Sequence, residues 1–265
     1  MRINPIKGLT ALVTGASSGI GKACAEHLAA AGANLVITAR RQDRLEDLAK
    51  EIAQKYGVKC LAKTLDVRDN DQVKALFSEI PTIDILINNA GLALTSDKIQ
   101  NGQTENWDTM IDTNIKGVLF VTRAALPGMI AQNRGHIINI GSTAAHGCYA
   151  SGNVYCATKH AVRALTKSLR IDLMGTALRV SEVDPGAVET EFSEVRWNDK
   201  EKAKRFYQGF DPLVAEDVAE AVLFCLTRPQ HVNIAEMVLC PQAQGDVAQI
   251  YRAGEQIKSM FDSAK

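Results

Sequence analysis

The sequence has no surplus of charge: 30 Lys and Arg stand against 30 Asp and Glu in 265 residues, a formal net charge of zero. Without a basic footprint, a phosphate backbone exerts no net pull, and no nucleic acid is expected as a partner. No apolar run approaches the roughly 18 residues of a membrane span, so no membrane partner is expected either. The six cysteines, at 24, 60, 148, 156, 225 and 240, form no CxxC pair, and the five histidines lie apart. Zinc-type spacing is therefore missing, and no metal is expected. Residues 1–5 (MRINP) lead into a strand pattern with no apolar leader or cleavage site, and the cysteines read as reduced thiols. A cytoplasmic protein is the expectation. Repeats, low-complexity tracts and Pro/Gly/Ser linkers are also absent, so residues 1–265 read as one domain.

With 46% hydrophobic and 23% charged residues, the chain can bury a sizeable core. Short β-rich apolar runs at 9–14, 35–38, 59–65, 84–87, 136–140, 178–183 and 235–239 predict strands. Between them, helical spacing covers 18–31, 41–55, 70–79, 105–131, 153–174, 200–207 and 215–227. Alternating βα units specify an α/β fold, a doubly wound parallel sheet with helices on both faces. An eight-fold barrel needs about 250 residues too, but does not require a glycine-rich first turn.

That turn is present. Gly15, Gly19 and Gly21 follow the first strand and open the first helix, with Ser17, Ser18 and Ile20 between them. Glycines here permit a tight reversal and let bare backbone approach a pyrophosphate, which the helix N-terminus then favours. The spacing is neither GxGxxG nor a P-loop, since Lys22 is followed by Ala23. A purely structural turn is the plainer alternative. The second strand ends at Arg40 and Arg41, where an acid would accept from a ribose 2′-OH and an Arg fork suits a 2′-phosphate. NADP is thus expected over NAD, although Asp43 lies close by, and solvated helix-start arginines are the alternative.

Several motifs occur in one order: Gly15-x3-Gly19-x-Gly21, Asn88-Asn89-Ala90-Gly91, Asn114, Ser142, Tyr155-x3-Lys159 and Pro185-Gly186. Over essentially the whole chain this set resembles the short-chain dehydrogenase/reductase family. The resemblance implies a single-domain Rossmann-type fold and nicotinamide-dependent carbonyl/alcohol chemistry, with Asn114, Ser142, Tyr155 and Lys159 as the catalytic set. The residue types suit that chemistry. Oxidising an alcohol needs a base, and a phenol of pKa about 10 serves near neutrality only beside a cation. Tyr155 and Lys159, at i and i+4, share a helix face, and Ser142 follows a strand at the carboxyl edge of the sheet. By resemblance, Lys159 also holds the nicotinamide ribose and Asn114 supports a proton relay. Asp66 and Val67 would meet the adenine, Asn88, Ala90 and Gly91 the adenosine ribose, and Pro185, Gly186, Val188 and Thr190 the nicotinamide. Asp66 as a helix N-cap is the alternative there.

A narrower similarity, carried by 135–144 (GHIINIGSTA), 152–155 (GNVY) and 190–196 (TEFSEVR), points to the NADP-dependent 3-hydroxy acid branch. That branch implies short substrates such as serine, allo-threonine or 3-hydroxypropionate. Arg196 is the candidate for holding the carboxylate and Tyr207 its helper, both within 187–212, which reads as a substrate lid. A solvated lid arginine is the alternative. The chain departs from the branch at 145–149 (AHGCY), where the family commonly has an aromatic-proline pair. These residues should face the pocket, with His146 open to substrate contact or merely solvated, and Cys148 and Cys156 as packing residues. The competing functions are a reductase of another carbonyl (3-oxoacyl thioester, sugar or hydrophobic ketone) and a non-catalytic NADP-binding sensor. The resemblance further implies a homo-oligomer, a tetramer ahead of a dimer, formed through the helical stretches 105–131 and 153–174. Residues 241–265 form a C-terminal extension expected to dock on a neighbouring subunit.

Overall fold

Each short apolar run becomes a parallel strand. In the computed structural model, which describes residues 6–253, the strands are β1 (Thr10–Thr14), β2 (Asn34–Ala39), β3 (Cys60–Thr64), β4 (Ile85–Asn88), β5 (Gly135–Ile140), β6 (Leu178–Pro185) and β7 (Glu236–Leu239). They pair in the order β3-β2-β1-β4-β5-β6-β7, all parallel. This is the doubly wound Rossmann-type sheet. Alternation along β1 divides the core: Val13 joins Leu28, Ile37, Val218 and Val222 on one face, while Leu12 joins Leu86, Val121, Met129 and Ile137 on the other.

The helices are α1 (Gly19–Ala30), α2 (Gln42–Tyr56), α3 (Asn70–Glu79), α4 (Thr104–Ile111), α5 (Gly117–Ala131), α6 (Asn153–Asp172), α7 (Glu191–Trp197), α8 (Lys200–Phe206) and α9 (Ala215–Leu226). In α2 the buried residues Leu45, Leu48, Ala49 and Ile52 repeat at i, i+3, i+4 and i+7, and left-handed Gly57 ends the helix. The stretch read as one helix over 105–131 is interrupted by a π-helical turn, Asp112–Lys116. Hydrophobic periodicity does not register such a local underwinding, yet it turns Asn114 inward. The sequence also gives no helical period for α7. Its seven residues are too few, and it depends on Thr190, whose hydroxyl accepts from the Phe192 amide, and on left-handed Asn198.

The winding direction reverses between β1 and β4, and a crevice opens at their carboxyl ends. Thr14 fastens it: its Oγ1 donates to the Ile87 carbonyl at 3.3 Å and accepts from the Asn89 and Ala90 amides at 3.0 Å each.

Candidate active site

A cleft of about 350 Å³ occupies that crevice. Gly15 and Gly19 hold φ of +67° and +53°, which side chains rarely adopt. A Cβ on Gly15 would stand 2.9 Å from the Ala90 Cα. Gly15, Ser17, Ser18, Gly19 and Ile20 line the cleft, whereas Gly21 packs behind the turn, where a Cβ would strike the Asn89 amide and the Gly15 carbonyl. Ser18 precedes α1 without a side-chain cap, so the first-turn amides are not engaged by it. Bare backbone, a helix N-terminus and open space together fit a pyrophosphate.

Arg40 and Arg41 both line the cleft. The Arg41 guanidinium donates to Ser17 Oγ (2.9 and 3.2 Å) and Ser18 Oγ (2.8 Å), fixing a cation at the lip of the glycine turn. Its remaining nitrogen reaches across to Glu191 of α7 at 2.9 Å, which Arg44 also holds at 2.7 Å. Burial would raise the Glu191 carboxyl, but the hydrogen bonds from Arg44 and Arg41 outweigh it and hold it at about 2. Asp43 lies exposed in the first turn of α2 and does not line the cleft.

Asp66 and Asn88, both expected on the adenosine side, stand in different settings. Asp66 and Val67 line the cleft with Ala90 and Gly91, but the Asp66 carboxylate receives the Arg68 guanidinium in a two-pronged bond, at 3.0 and 2.6 Å. That hydrogen bond holds it below the usual carboxylate range. The N-cap of α3 is Asp69, not Asp66. Asn88 stands apart from the cleft: β4 alternation turns it into the core, where its amide donates to Thr122 and Asn139 at 2.9 Å each. Asn89 lines the cleft instead and binds the Thr14 carbonyl at 2.9 Å. Counting alternation on from Ile87 would have found it.

Ser142, Tyr155 and Lys159 meet on the opposite wall, beside Pro185, Gly186, Val188 and Thr190. Tyr155 and Lys159 are both buried on one face of α6, with Lys159 Nζ 5.9 Å from the Tyr155 ring centre and donating to the Ile140 carbonyl at 2.9 Å. Burial pushes the Lys159 ammonium down to about 8, against the opposing charges of Asp184 and Glu182. Burial also pushes the Tyr155 phenol above its ordinary value, while a hydrogen bond with Ser142 and the Arg196 charge pull the other way. Within the polypeptide, then, desolvation outweighs the expected lowering, and Tyr155 is a neutral proton donor at pH 7. Asn114 lies just behind the cleft, its amide joining both backbone groups of Leu92 (2.9 and 2.8 Å) and Thr158 Oγ1 (3.0 Å).

Of the two residues expected to meet substrate, Arg196 approaches the site without lining the cleft: its guanidinium lies 5.8 Å from the Tyr155 ring and 5.4 Å from that of Tyr149. Tyr207 does not line the cleft. Its hydroxyl donates to the Val188 carbonyl at 2.6 Å and pairs with Ser193 Oγ at 2.7 Å, tying the end of α8 to α7. Phe192, 5.7 Å from the Tyr155 ring, is a cleft residue that the sequence reading passed over. His146 also points away from the cleft, toward Asp184. Of the two cysteines expected to pack here, Cys156 is buried and Cys148 is exposed. Residues 241–253 pack on their own chain: Gln244 accepts from the Ala187 amide at 2.8 Å, and Ala253 donates to Gly209 at 2.8 Å. The remainder of the extension, 254–265, lies outside the described residues.

Comparison with known proteins agrees with this geometry. The family model described as short chain dehydrogenase matches residues 9–201. An NADP-dependent 3-hydroxy acid dehydrogenase of Schizosaccharomyces pombe is 45% identical over 253 residues, 93% of this chain and 98% of the relative. One of the same description from Escherichia coli is 46% identical over 88% of this chain and 95% of its own length. The closed form of a serine dehydrogenase complexed with NADP+ superposes with a TM-score of 0.86 at 43% identity, covering 94% of this chain and all of that one.

Proposed function

The chain belongs to the short-chain dehydrogenase family, and from that premise we propose that it is an NADP-dependent oxidoreductase of short 3-hydroxy acids such as serine, allo-threonine or 3-hydroxypropionate. The observation that carries the substrate reading is Arg196, a cation held over the Tyr155 and Tyr149 rings next to the cleft residue Val195. Among the described residues no carboxylate forms an ion pair with it. A substrate carboxylate is a fitting partner for such a fork.

Arg40 and Arg41 would hold the 2′-phosphate, the glycine turn the pyrophosphate, and Ala90 with Gly91 the ribose. Bound there, NADP supplies a nicotinamide that exchanges hydride with the substrate carbon. Tyr155 exchanges the proton on the substrate oxygen, donating it in reduction and accepting it in oxidation. Ser142 Oγ hydrogen-bonds the same oxygen. The Lys159 ammonium favours the phenolate, and Asn114 fixes the Leu92 backbone and Thr158 beside them. Residues 187–212 act as the lid, tied to the loop after β4 by the Thr95 amide, which donates to the Arg196 carbonyl at 2.8 Å.

Replacing Arg196 with Ala should raise KM for the acids by about 10- to 100-fold, the worth of a hydrogen bond to a charged group, and leave a carboxylate-free alcohol such as 1,3-propanediol unchanged. Steady-state rates on both substrates check this, and equal losses would remove Arg196 from substrate binding. The free thiols accord with a cytoplasmic setting. Exposed Leu119 and Ile130 on α5 and Ile171 on α6 accord with assembly into a homotetramer, which the mass in solution tests.

A further inference from the structure

Beneath Ser142 and Lys159, β6 carries two acids in an otherwise closed core: Glu182 is 1% exposed and Asp184 not at all. Register pairs Glu182 with Glu236 on β7, so three carboxylates share one sheet face. Lys159, Arg163 and Lys167 of α6 face them. Arg163 is bonded to the Glu236 carboxylate through two nitrogens. Glu182 meets Thr166 of the same helix. Gly141 leaves the necessary gap, since a Cβ there would strike the carboxylate oxygens of both Asp184 and Glu182.

Asp184 is held at both oxygens. Oδ1 accepts the backbone amide of Ser142 at 3.0 Å, and Oδ2 lies 2.8 Å from Nε2 of His146. A carboxylate can only accept, so the imidazole donates. His146 follows the 3₁₀ turn Thr143–Ala145 and is the partner of Asp184 that solvent reaches, its side chain 27% exposed. The ligand-capable atoms of His146, Asp184 and Glu236 lie within 4.8 Å of one another, but Arg163 already supplies the positive charge at Glu236.

We propose that His146 is a positioning residue: by donating to Asp184 it keeps a negative charge aimed at the Ser142 amide and beneath the Lys159 ammonium. Burial pushes the Asp184 and Glu182 carboxyls up; at Asp184 it is opposed by the hydrogen bond with Glu182, the Ser142 amide and the Lys159 charge, and His146 adds a further donor at Oδ2. His146 is itself pushed below its ordinary value by burial and by Arg163, so at neutral pH it is an uncharged donor. Without that donor the Asp184 carboxylate is no longer fixed beneath Lys159. Lys159 then keeps less of its opposing charge, and its ammonium, already near 8, is lost at lower pH. The alkaline limb of the oxidation profile therefore moves downward.

The inference rests on the oxidoreductase reading. It is tested by following kcat against pH for 3-hydroxypropionate oxidation with NADP in wild type, H146A and H146Q, and by recording the Ser142 amide proton by NMR. The expected result is a loss of about tenfold in H146A, KM for NADP unchanged, the alkaline limb lower by about half a pH unit to one, and the Ser142 amide resonance displaced. The glutamine, which keeps a donor, should restore both the limb and the resonance. An H146A enzyme with the wild-type profile, or an H146Q enzyme as impaired as H146A, overturns the inference. If the wild type itself turns over no hydroxy acid, the functional reading fails instead. The Ser142 resonance still decides on His146: unmoved in H146A, it overturns the positioning role.

Discussion

Replacing Tyr155 with Phe lowers kcat by about 10³-fold or more while NADP binds as before. The substitution removes one oxygen and leaves a ring of the same shape against Phe192 and below Arg196. The lost hydroxyl is the group proposed to exchange a proton with the substrate oxygen, a contribution of about 10²–10⁴-fold in general acid–base catalysis. Burial makes the upper end appropriate, because few waters reach so closed a position to substitute for it: Tyr155 is 9% exposed. The cofactor's phosphates would meet other elements, the glycine turn and Arg40 with Arg41, so a fluorescence titration with NADPH should give a Kd within about threefold of wild type. A Tyr155→Phe enzyme retaining a tenth of its turnover would show that another group moves the proton.

Replacing Arg40 and Arg41 together with Ala raises KM for NADP by about 100-fold and leaves NAD unchanged. NAD lacks the 2′-phosphate, so it has nothing to lose, whereas each charge-assisted bond to phosphate is worth about 1.5–3 kcal/mol. Of the two, Arg41 carries the larger share. Its guanidinium is already oriented by Ser17 and Ser18, so little side-chain freedom is lost when an anion arrives. Its ion pair with Glu191 is 41% exposed on both sides and contributes little to stability. Its consequence is to bring the first residue of α7 to the same corner. The ratio of kcat/KM for the two cofactors, measured for R40A, R41A and the double variant, tests this ordering. A double variant with the wild-type preference would place the discrimination elsewhere.

The fold was legible because its determinants are local and repetitive. Runs such as HIINI at 136–140, buried along the whole of β5, can only be strands covered on both faces, and the glycine turn marks where the sheet begins to wind. The shared face of Tyr155 and Lys159 was legible for a related reason, since they sit one helical turn apart and need no tertiary information. What escaped depends on geometry that a one-dimensional pattern does not carry. The π turn at Asp112–Lys116 differs from an α-helix by a single hydrogen-bond shift. Asn88 and Asn89 are adjacent in sequence, yet strand alternation sends one into the core and the other into the cleft. Tyr207 lies in the right segment, but its hydroxyl is already engaged by Val188 and Ser193. The two acids in SEVDP at 181–185 were a visible anomaly in an apolar strand, and their partner His146 lies 38 residues from Asp184.

Whether a 2′-phosphate-binding cleft and a carboxylate-holding segment meet at Tyr155 is tested most directly by initial rates with NADP and with NAD against L-serine, 3-hydroxypropionate, 3-hydroxybutyrate and isopropanol. The expected result is turnover of the hydroxy acids with NADP, little with NAD, and little of isopropanol with either. Equal use of the two cofactors, or oxidation of isopropanol as fast as the acids, would contradict it.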